Sequence, residues 1–176
     1  GDECPEDGIA NIALGLGKYI VDGGLTLRFS PRHPRHILQL SSIDTALKET
    51  QRQFYALDLK NASTEFKTDD AFNLLKPRVK EIEKLPEIRY IASTFDPYDQ
   101  TIRDGHYPGG RTIVSYANIL QHDAFPLAKT IDRLLHIGRQ EMGRHVEIEF
   151  AMHIQEKKAQ FYKDMFSAIG ILDNQY

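Results

Sequence analysis

The chain has 176 residues, 41% hydrophobic and 27% charged, values typical of one globular domain or of a piece of a larger protein. Its net charge of −3 argues against non-specific binding to nucleic acid or acidic membranes, because such binding requires a surplus of basic residues. The single cysteine, Cys4, excludes an internal disulfide, and no apolar run approaches the ~20 residues that span a bilayer, so we expect a cytoplasmic protein.

The first predicted elements follow an acidic N-terminus. An apolar, glycine-rich run begins by residue 8 and leaves little room for an ordinary first element, so we expect the chain to be excised from a longer protein. The pattern of residues 9–24 predicts a buried strand, a turn at Gly15 and Gly17, a short helix and a second turn. These glycines fit neither a P-loop nor a Rossmann fingerprint. Two interpretations stay open, a tight turn where backbones approach closely or a contact with phosphate.

Short strands and one helix are predicted for the next part of the chain. Residues 25–31 and 36–41 look like strands, and the basic connector PRHPRH between them is predicted to be exposed rather than to bind a metal. Ser42 is predicted to cap a helix. A strand is predicted at 54–59, and the polar residues 60–70 are predicted to form a surface loop.

The middle of the chain is predicted to mix helices with strands. Residues 69–85 indicate one or two short helices broken at Pro77. Strands are predicted at 88–94 and 111–117, and the proline- and glycine-containing residues 95–110 between them are predicted to form a long loop.

A longer helix and a final strand complete the prediction. The helix begins near Pro126 and ends at Gly143, and a last strand is predicted near 165–172. Strands and helices without regular βαβ alternation predict an α+β fold, with a mainly antiparallel sheet flanked by helices.

Residues 144–153, RHVEIEFAMH, are the best local signal for a functional site. The residues at 146, 148, 150 and 152 are apolar, which predicts a strand with one apolar face. Glu147 and Glu149 would then lie on the other face, roughly 6–7 Å apart. Either this polar face simply meets water, or the two carboxylates hold a divalent cation such as Mg²⁺, which prefers oxygen ligands.

The order of several segments resembles the ATP-grasp region of the phosphoenolpyruvate synthase and pyruvate phosphate dikinase family. ALGLGKYIVDGG is similar to the glycine-rich segment of that family, and MGRHVEIEFAM is similar to its acidic strand. Three intervening segments resemble a bacterial subgroup with long inserts, namely SPRHPRHILQLSSIDTALKETQRQFYALDL, ASTFDPYDQTIRDG and RTIVSYANILQHDAFPLAKTIDRLLHIGRQEMG. The resemblance covers residues 6 to 174.

This resemblance implies an ATP-grasp-like subdomain, a single domain over residues 1–176 that belongs to a multidomain phosphotransferase. In that family ATP phosphorylates a histidine on a swivelling domain, and the phosphate then passes to pyruvate on a barrel domain. The implied partners are therefore ATP, an N-terminal ATP-grasp subdomain, the phosphohistidine domain and the pyruvate barrel, with no nucleic acid and no membrane. The implied cofactors are ATP and Mg²⁺.

The resemblance also assigns roles to individual residues. It implies that Glu149 is catalytic, that Glu147 and Glu149 bind the metal, and that Gly15, Gly17 and Lys18 bind ATP. An acidic strand suits this chemistry because the negative charge of the phosphates must be neutralised during transfer.

Four positions depart from the pattern of the family. Ser167, Ile169 and Gly170 stand where the family has Gln, Arg and Pro, and losing that arginine removes a bidentate clamp on phosphate. Lys18 stands where the family has an acid. An alternative is therefore a degenerate, non-catalytic nucleotide-binding or interaction module with the same fold. A third interpretation is an unrelated α+β protein with a structural acid pair.

Overall fold

Short strands and short helices alternate irregularly in the structure, a computed structural model that describes residues 7–59 and 73–154. Two single-turn 3-10 helices lie at Leu38–Leu40 and Val79–Ile82. The strands and α-helices, in chain order, are β1 (Ala10–Ile12), α1 (Lys18–Val21), β2 (Leu27–Phe29), α2 (Ile43–Glu49), β3 (Ala56–Leu57), β4 (Leu74–Leu75), α3 (Ile88–Ile91), β5 (Ala92–Asp96), β6 (Thr101–Asp104), β7 (Arg111–Val114), α4 (Ala117–Leu120) and α5 (Leu127–Met142).

All strand pairs in the described residues are antiparallel. β1 pairs with β2, β3 pairs with β4, and β5 lies between β6 and β7 in the largest sheet. The predicted α+β class with antiparallel pairing is therefore confirmed. No helix in the described part of the chain is long and apolar enough to cross a membrane.

One hydrophobic core joins the β1–β2 hairpin to β5, β7 and the helices. Alternate residues of the hairpin point inward, so Ile12 and Leu27 are buried opposite each other while Asn11 is exposed. Leu120 of α4 is fully buried, and α5 buries Leu127 and Ile131. Gly143 ends that helix as predicted, in the left-handed conformation, with a φ of 63°.

Ser42 caps α2 as the sequence predicts. Its Oγ accepts a hydrogen bond from the backbone N–H of Thr45 at 3.1 Å, which satisfies a donor that has no partner within the helix. At the other end of α2 the Thr50 hydroxyl donates to the carbonyl of Ala46. These side chains fix the length of a helix of only seven residues.

Replacing Ser42 by Ala is therefore expected to destabilise the domain by about 1 kcal/mol, since the amide of Thr45 loses its partner. Urea denaturation followed by circular dichroism would measure this loss. Ser41→Ala is the matched control, because the Ser41 side chain makes no hydrogen bond to any described residue. Equal losses in the two variants would contradict the capping role.

The strand predicted at 36–41 is wrong, because residues 38–40 form a 3-10 helix. The reason is the Gln39 side chain, which takes the place of a neighbouring strand as hydrogen-bond partner at the edge of β2. Its Oε1 accepts from the N–H of Arg28 at 2.8 Å, and its Nε2 donates to the carbonyl of Thr26 at 2.7 Å. The Gln39 side chain thus makes hydrogen bonds to the backbone of β2 that a neighbouring strand would otherwise make.

The long loop predicted at 95–110 is wrong in its first half, which forms a β-hairpin. The Asp96 carboxylate accepts a hydrogen bond from the N–H of Tyr98 at 2.8 Å, and Gln100 adopts a left-handed φ of 50°. This turn reverses the chain within a few residues, so that β6 pairs with β5.

Two further predictions need correction. Leu74 and Leu75, predicted to be helical, form β4 opposite β3, because a short apolar run suits either element and the pairing partner decides. The strand predicted at 88–94 begins as the single-turn helix α3, whose Ile88 and Ile91 are buried three residues apart, and continues as β5. The predictions for residues 60–70 and 165–172 lie outside the described residues.

Candidate functional site

The predicted strand at 144–153 is not a strand in the structure, where residues 145–154 have no regular secondary structure. A strand needs a hydrogen-bonded neighbour, and no hydrogen bond of residues 144–154 to any other residue is present in the described part of the chain. The prediction of a strand is therefore wrong for these residues, because a strand requires a paired neighbour that the described residues do not supply.

The side chains of this segment differ in burial. Val146, Met152 and Ile154 are half-buried, whereas the acids at 147 and 149 are exposed. Val146 lies against α5 at Gly138, where an added Cβ would come within 2.8 Å of the valine methyl. Both carboxylates are exposed, but so are Ile148 and Phe150, at 37% and 42%, so the predicted alternation of burial is not kept at the centre of the segment.

The turn at Gly15 and Gly17 begins where β1 ends. Gly15 has a φ of 95°, and a Cβ added there would lie 2.6 Å from the carbonyl oxygen of Tyr55. The N–H of Leu16 donates to this same oxygen at 3.0 Å. The tight-turn interpretation is therefore confirmed for Gly15, whereas a Cβ on Gly17 would meet nothing within 4 Å.

Lys18 follows this turn as the first residue of α1. Its Nζ donates to Oδ1 of Asp22 at 2.9 Å, and this hydrogen bond is the main cause that lowers the pKa of the Asp22 carboxyl. Both side chains are partly exposed, and solvent screens such a surface pair.

A cavity of about 1080 Å³ brings the predicted site residues together. Gly15, Gly17 and Lys18 line it from one end of the described chain, and Glu147 and Glu149 line it from the other. Its inner wall is apolar and is formed in part by Ile12, Ile88, Ile91, Ile131 and Met152. The exposed charged groups thus lie around an apolar interior, the usual arrangement of a ligand pocket.

Tyr116 is a cavity residue that the sequence did not single out. It is 5% exposed, has a left-handed φ of 50°, and lines the cavity with its side chain buried in the core. Burial raises the pKa of its phenol well above the ordinary range. No motif marks this tyrosine, because its position depends on the turn between β7 and α4.

The acid pair suits a metal that also binds a ligand rather than a metal bound by the protein alone. No group of three or more histidine, cysteine, aspartate or glutamate side chains able to hold a metal occurs in the described residues. Mg²⁺ commonly takes one or two carboxylates and completes its shell with phosphate oxygens and water. Glu147 and Glu149 fit that donor set.

A second polar cluster lies outside the cavity. The Ser93 hydroxyl donates to Asp104 at 2.9 Å and contacts the hydroxyl of Ser115, and Nε2 of His122 lies 2.6 Å from the other oxygen of Asp104. Ser93 is fully buried, and the carboxylate lies between the serine and the histidine. A nucleophilic serine needs the histidine next to it, so this cluster is structural and ties β5 to β6, β7 and the residues after α4.

The arginines and histidines of the connector PRHPRH are exposed, as predicted, whereas Pro31 is buried, and ion pairs fix the connector. Arg32 contacts Asp7 at 3.1 Å and Asp132 of α5 at 3.4 Å, and Arg35 contacts Asp123 at 3.3 Å. These ion pairs account for the arginines of the connector without a bound ligand.

Comparison with known proteins gives no relative on which a function could be based. No protein-family model, no curated protein and no solved structure matches this chain.

Proposed function

We propose that this chain is part of the ATP-binding region of a phosphotransferase of the phosphoenolpyruvate synthase type, with an ATP-grasp-like fold, in the cytoplasm. The observation that carries the proposal is that Gly15, Gly17, Lys18, Glu147 and Glu149 line one cavity. The resemblance to the family selects these same five residues, and they come from the two ends of the described chain.

The charges around the cavity support a nucleotide that is bound with a metal. Glu147 and Glu149 would repel free phosphates, whereas a divalent cation between carboxylates and phosphates would join them. Lys18 lies on the same cavity and can offer a positive charge to a phosphate oxygen. When bound, the metal would neutralise charge on the phosphates during transfer.

The interior of the cavity suits the base of the nucleotide. Its volume of about 1080 Å³ is close to the upper end, about 1,000 Å³, of ordinary ligand pockets. The isoleucine side chains of the inner wall would cover an aromatic ring and remove it from water. The phosphates would then extend toward the exposed acids and Lys18.

Calorimetric titration of ATP into the chain, with Mg²⁺ and with excess chelator, tests the proposal. We expect binding with Mg²⁺ and its loss with chelator, because the acids and the phosphates repel each other without a cation. Equal binding under both conditions would place ATP away from the acid pair. No binding at all would favour the alternative, a non-catalytic interaction module.

Phosphoryl transfer by the 176-residue chain itself is not expected. In the family that it resembles, the accepting histidine lies on a separate domain. Incubation with γ-labelled ATP and pyruvate should therefore leave both protein and pyruvate unlabelled. Labelled protein or labelled phosphoenolpyruvate would contradict this prediction.

A further inference from the structure

We propose that residues 147–151 form a strap that closes over the cavity by pairing with the free backbone edge of β1. The strap carries Glu147 and Glu149, so its closure moves both acids together. Both partners of the pairing lie in the described part of the chain. The proposal does not depend on whether the cavity binds a nucleotide.

The first partner is the edge of β1 that faces away from β2. The N–H of Arg28, which is opposite Asn11 in the register, donates to Gln39 rather than to β1. Backbone groups alternate in direction along a strand, so Ala10 and Ile12 present theirs to β2, and Asn11 presents its N–H and C=O to the other side. Neither group of Asn11 bonds to the backbone or side chain of another described residue. This edge therefore offers a donor and an acceptor to a further strand.

The second partner is the strap, which is anchored at both of its ends. Val146 is half-buried before it, and Met152 and Ile154 pack against the core after it. Between these anchors every residue from 147 to 151 is exposed, and none makes a hydrogen bond to any residue in the described ranges. A stretch that is fixed at its ends and unpaired between them has little to hold it in one position.

Contacts with α5 place the two partners side by side. A Cβ added to Gly8, just before β1, would lie 2.7 Å from Cδ1 of Leu135. A Cβ added to Gly138 would lie 2.8 Å from the Val146 methyl and 3.6 Å from Cδ1 of Ile148. Leu135 and Gly138 are three residues apart on one face of the helix, where neighbouring Cβ atoms are about 5–6 Å apart. At this end, then, the start of β1 and the start of the strap lie close together.

This spacing favours direct pairing over the insertion of a further strand. Paired strands lie about 4.7–4.9 Å apart, so a strand inserted between two edges requires roughly 9–10 Å. The separation of about 5–6 Å along α5 is close to the first value. Residues 9–14 and residues 146–154 each line the cavity without a break. Pairing that continues from α5 would therefore bring two walls of the cavity together along their length.

Disulfide trapping in the full chain without nucleotide tests the closure. In a Cys4→Ser background, Asn11→Cys is combined in turn with Glu147→Cys, Glu149→Cys and Ala151→Cys, three exposed strap positions that cover neighbouring registers. A disulfide requires Cα atoms about 4.4–6.8 Å apart, a distance that directly paired residues satisfy. We expect at least one of the three pairs to form a disulfide in glutathione buffer, detected by mass spectrometry as two tryptic peptides joined until reduction.

Arg28→Cys with the same three strap cysteines is the matched control. Arg28 is exposed and lies opposite Asn11 on β2, one strand farther from the strap. Closure would leave it roughly 9–10 Å from the strap, too far for a disulfide, so we expect it to crosslink about tenfold more slowly or less. Absence of a disulfide in all three Asn11 pairs would overturn the proposal, and so would equal rates for Asn11 and Arg28.

The fold of each variant is checked by circular dichroism of the reduced protein, which should match the unmodified chain because the substituted positions are exposed. Ile9→Cys, two residues earlier on the same edge and 53% exposed, repeats the test if Asn11→Cys does not fold. None of these results depends on ATP, so a failure here is distinct from a failure of the proposed function.

Discussion

Glu149→Gln is expected to weaken the binding of Mg²⁺-ATP by about tenfold or more, because a charged ligand contributes about 1.5–3 kcal/mol to such a contact. Glutamine keeps the size of the side chain but removes its negative charge, so the cation loses an anionic ligand while the cavity keeps its shape. Glu149 is exposed and makes no hydrogen bond to a described residue, so the substitution should leave the stability of the domain unchanged.

The matched control is Glu141→Gln, which removes the same charge from an exposed position of α5 that does not line the cavity. Calorimetric titration of both variants distinguishes the loss of a metal ligand at Glu149 from the general effect of removing one negative charge. Equal affinities in the two variants would move the metal site away from Glu149. A loss of thermal stability in Glu149→Gln would show that the acid has a structural role.

Gly15→Ala is expected to destabilise the domain by about 2–4 kcal/mol, the sum of a left-handed backbone penalty and a steric clash. The methyl group would lie 2.6 Å from the carbonyl oxygen of Tyr55, and this oxygen is held by the N–H of Leu16. The neighbouring Leu14 is also fixed, since both its backbone groups bond to the Gln51 side chain at 2.8 and 2.9 Å. The turn therefore has little room to move.

Gly17→Ala provides the comparison, because a Cβ there meets nothing within 4 Å and its φ of −55° suits any residue. Its stability in urea should stay within about 0.5 kcal/mol of the unmodified chain. If Gly15→Ala were equally harmless, the close approach to Tyr55 would be relieved by movement of the turn. Equal losses at both positions would instead indicate a general dependence on glycine in this loop.

Short sequence patterns predicted those helices whose ends are fixed by residues of the helix or next to it. Ser42 and Gly143 mark helix ends through a side-chain cap and a left-handed backbone, and both depend on neighbours within a few positions. Short strand-like runs likewise predicted β1 and β2, and in the structure each faces the core with every second residue. Of the residues that line the cavity, Glu147 and Glu149 were singled out by the alternation of residues 144–153, whereas the role of Lys18 was predicted only from the resemblance.

Long-range contacts account for what the sequence did not predict. Gln39 acts as part of a sheet edge only because β2 lies beside it, and no local pattern marks that role. Tyr116 lines the cavity because its own backbone is left-handed and turns the chain after β7. The segment 144–154 carries the pattern of a strand, yet pairing is a property of two segments and cannot be predicted from one.

Gly138 lowers the stability of helix α5 at the point where α5 contacts residues 144–154. A glycine inside a helix costs about 0.8–1 kcal/mol relative to alanine, and this one leaves the space that the Val146 methyl occupies. At position 138, a residue that raises the stability of the helix would therefore disturb the placement of Glu147. A substitution that favours the helix there would push the valine outward and carry the carboxylates with it, so a more heat-resistant form of this domain would have its acid pair displaced.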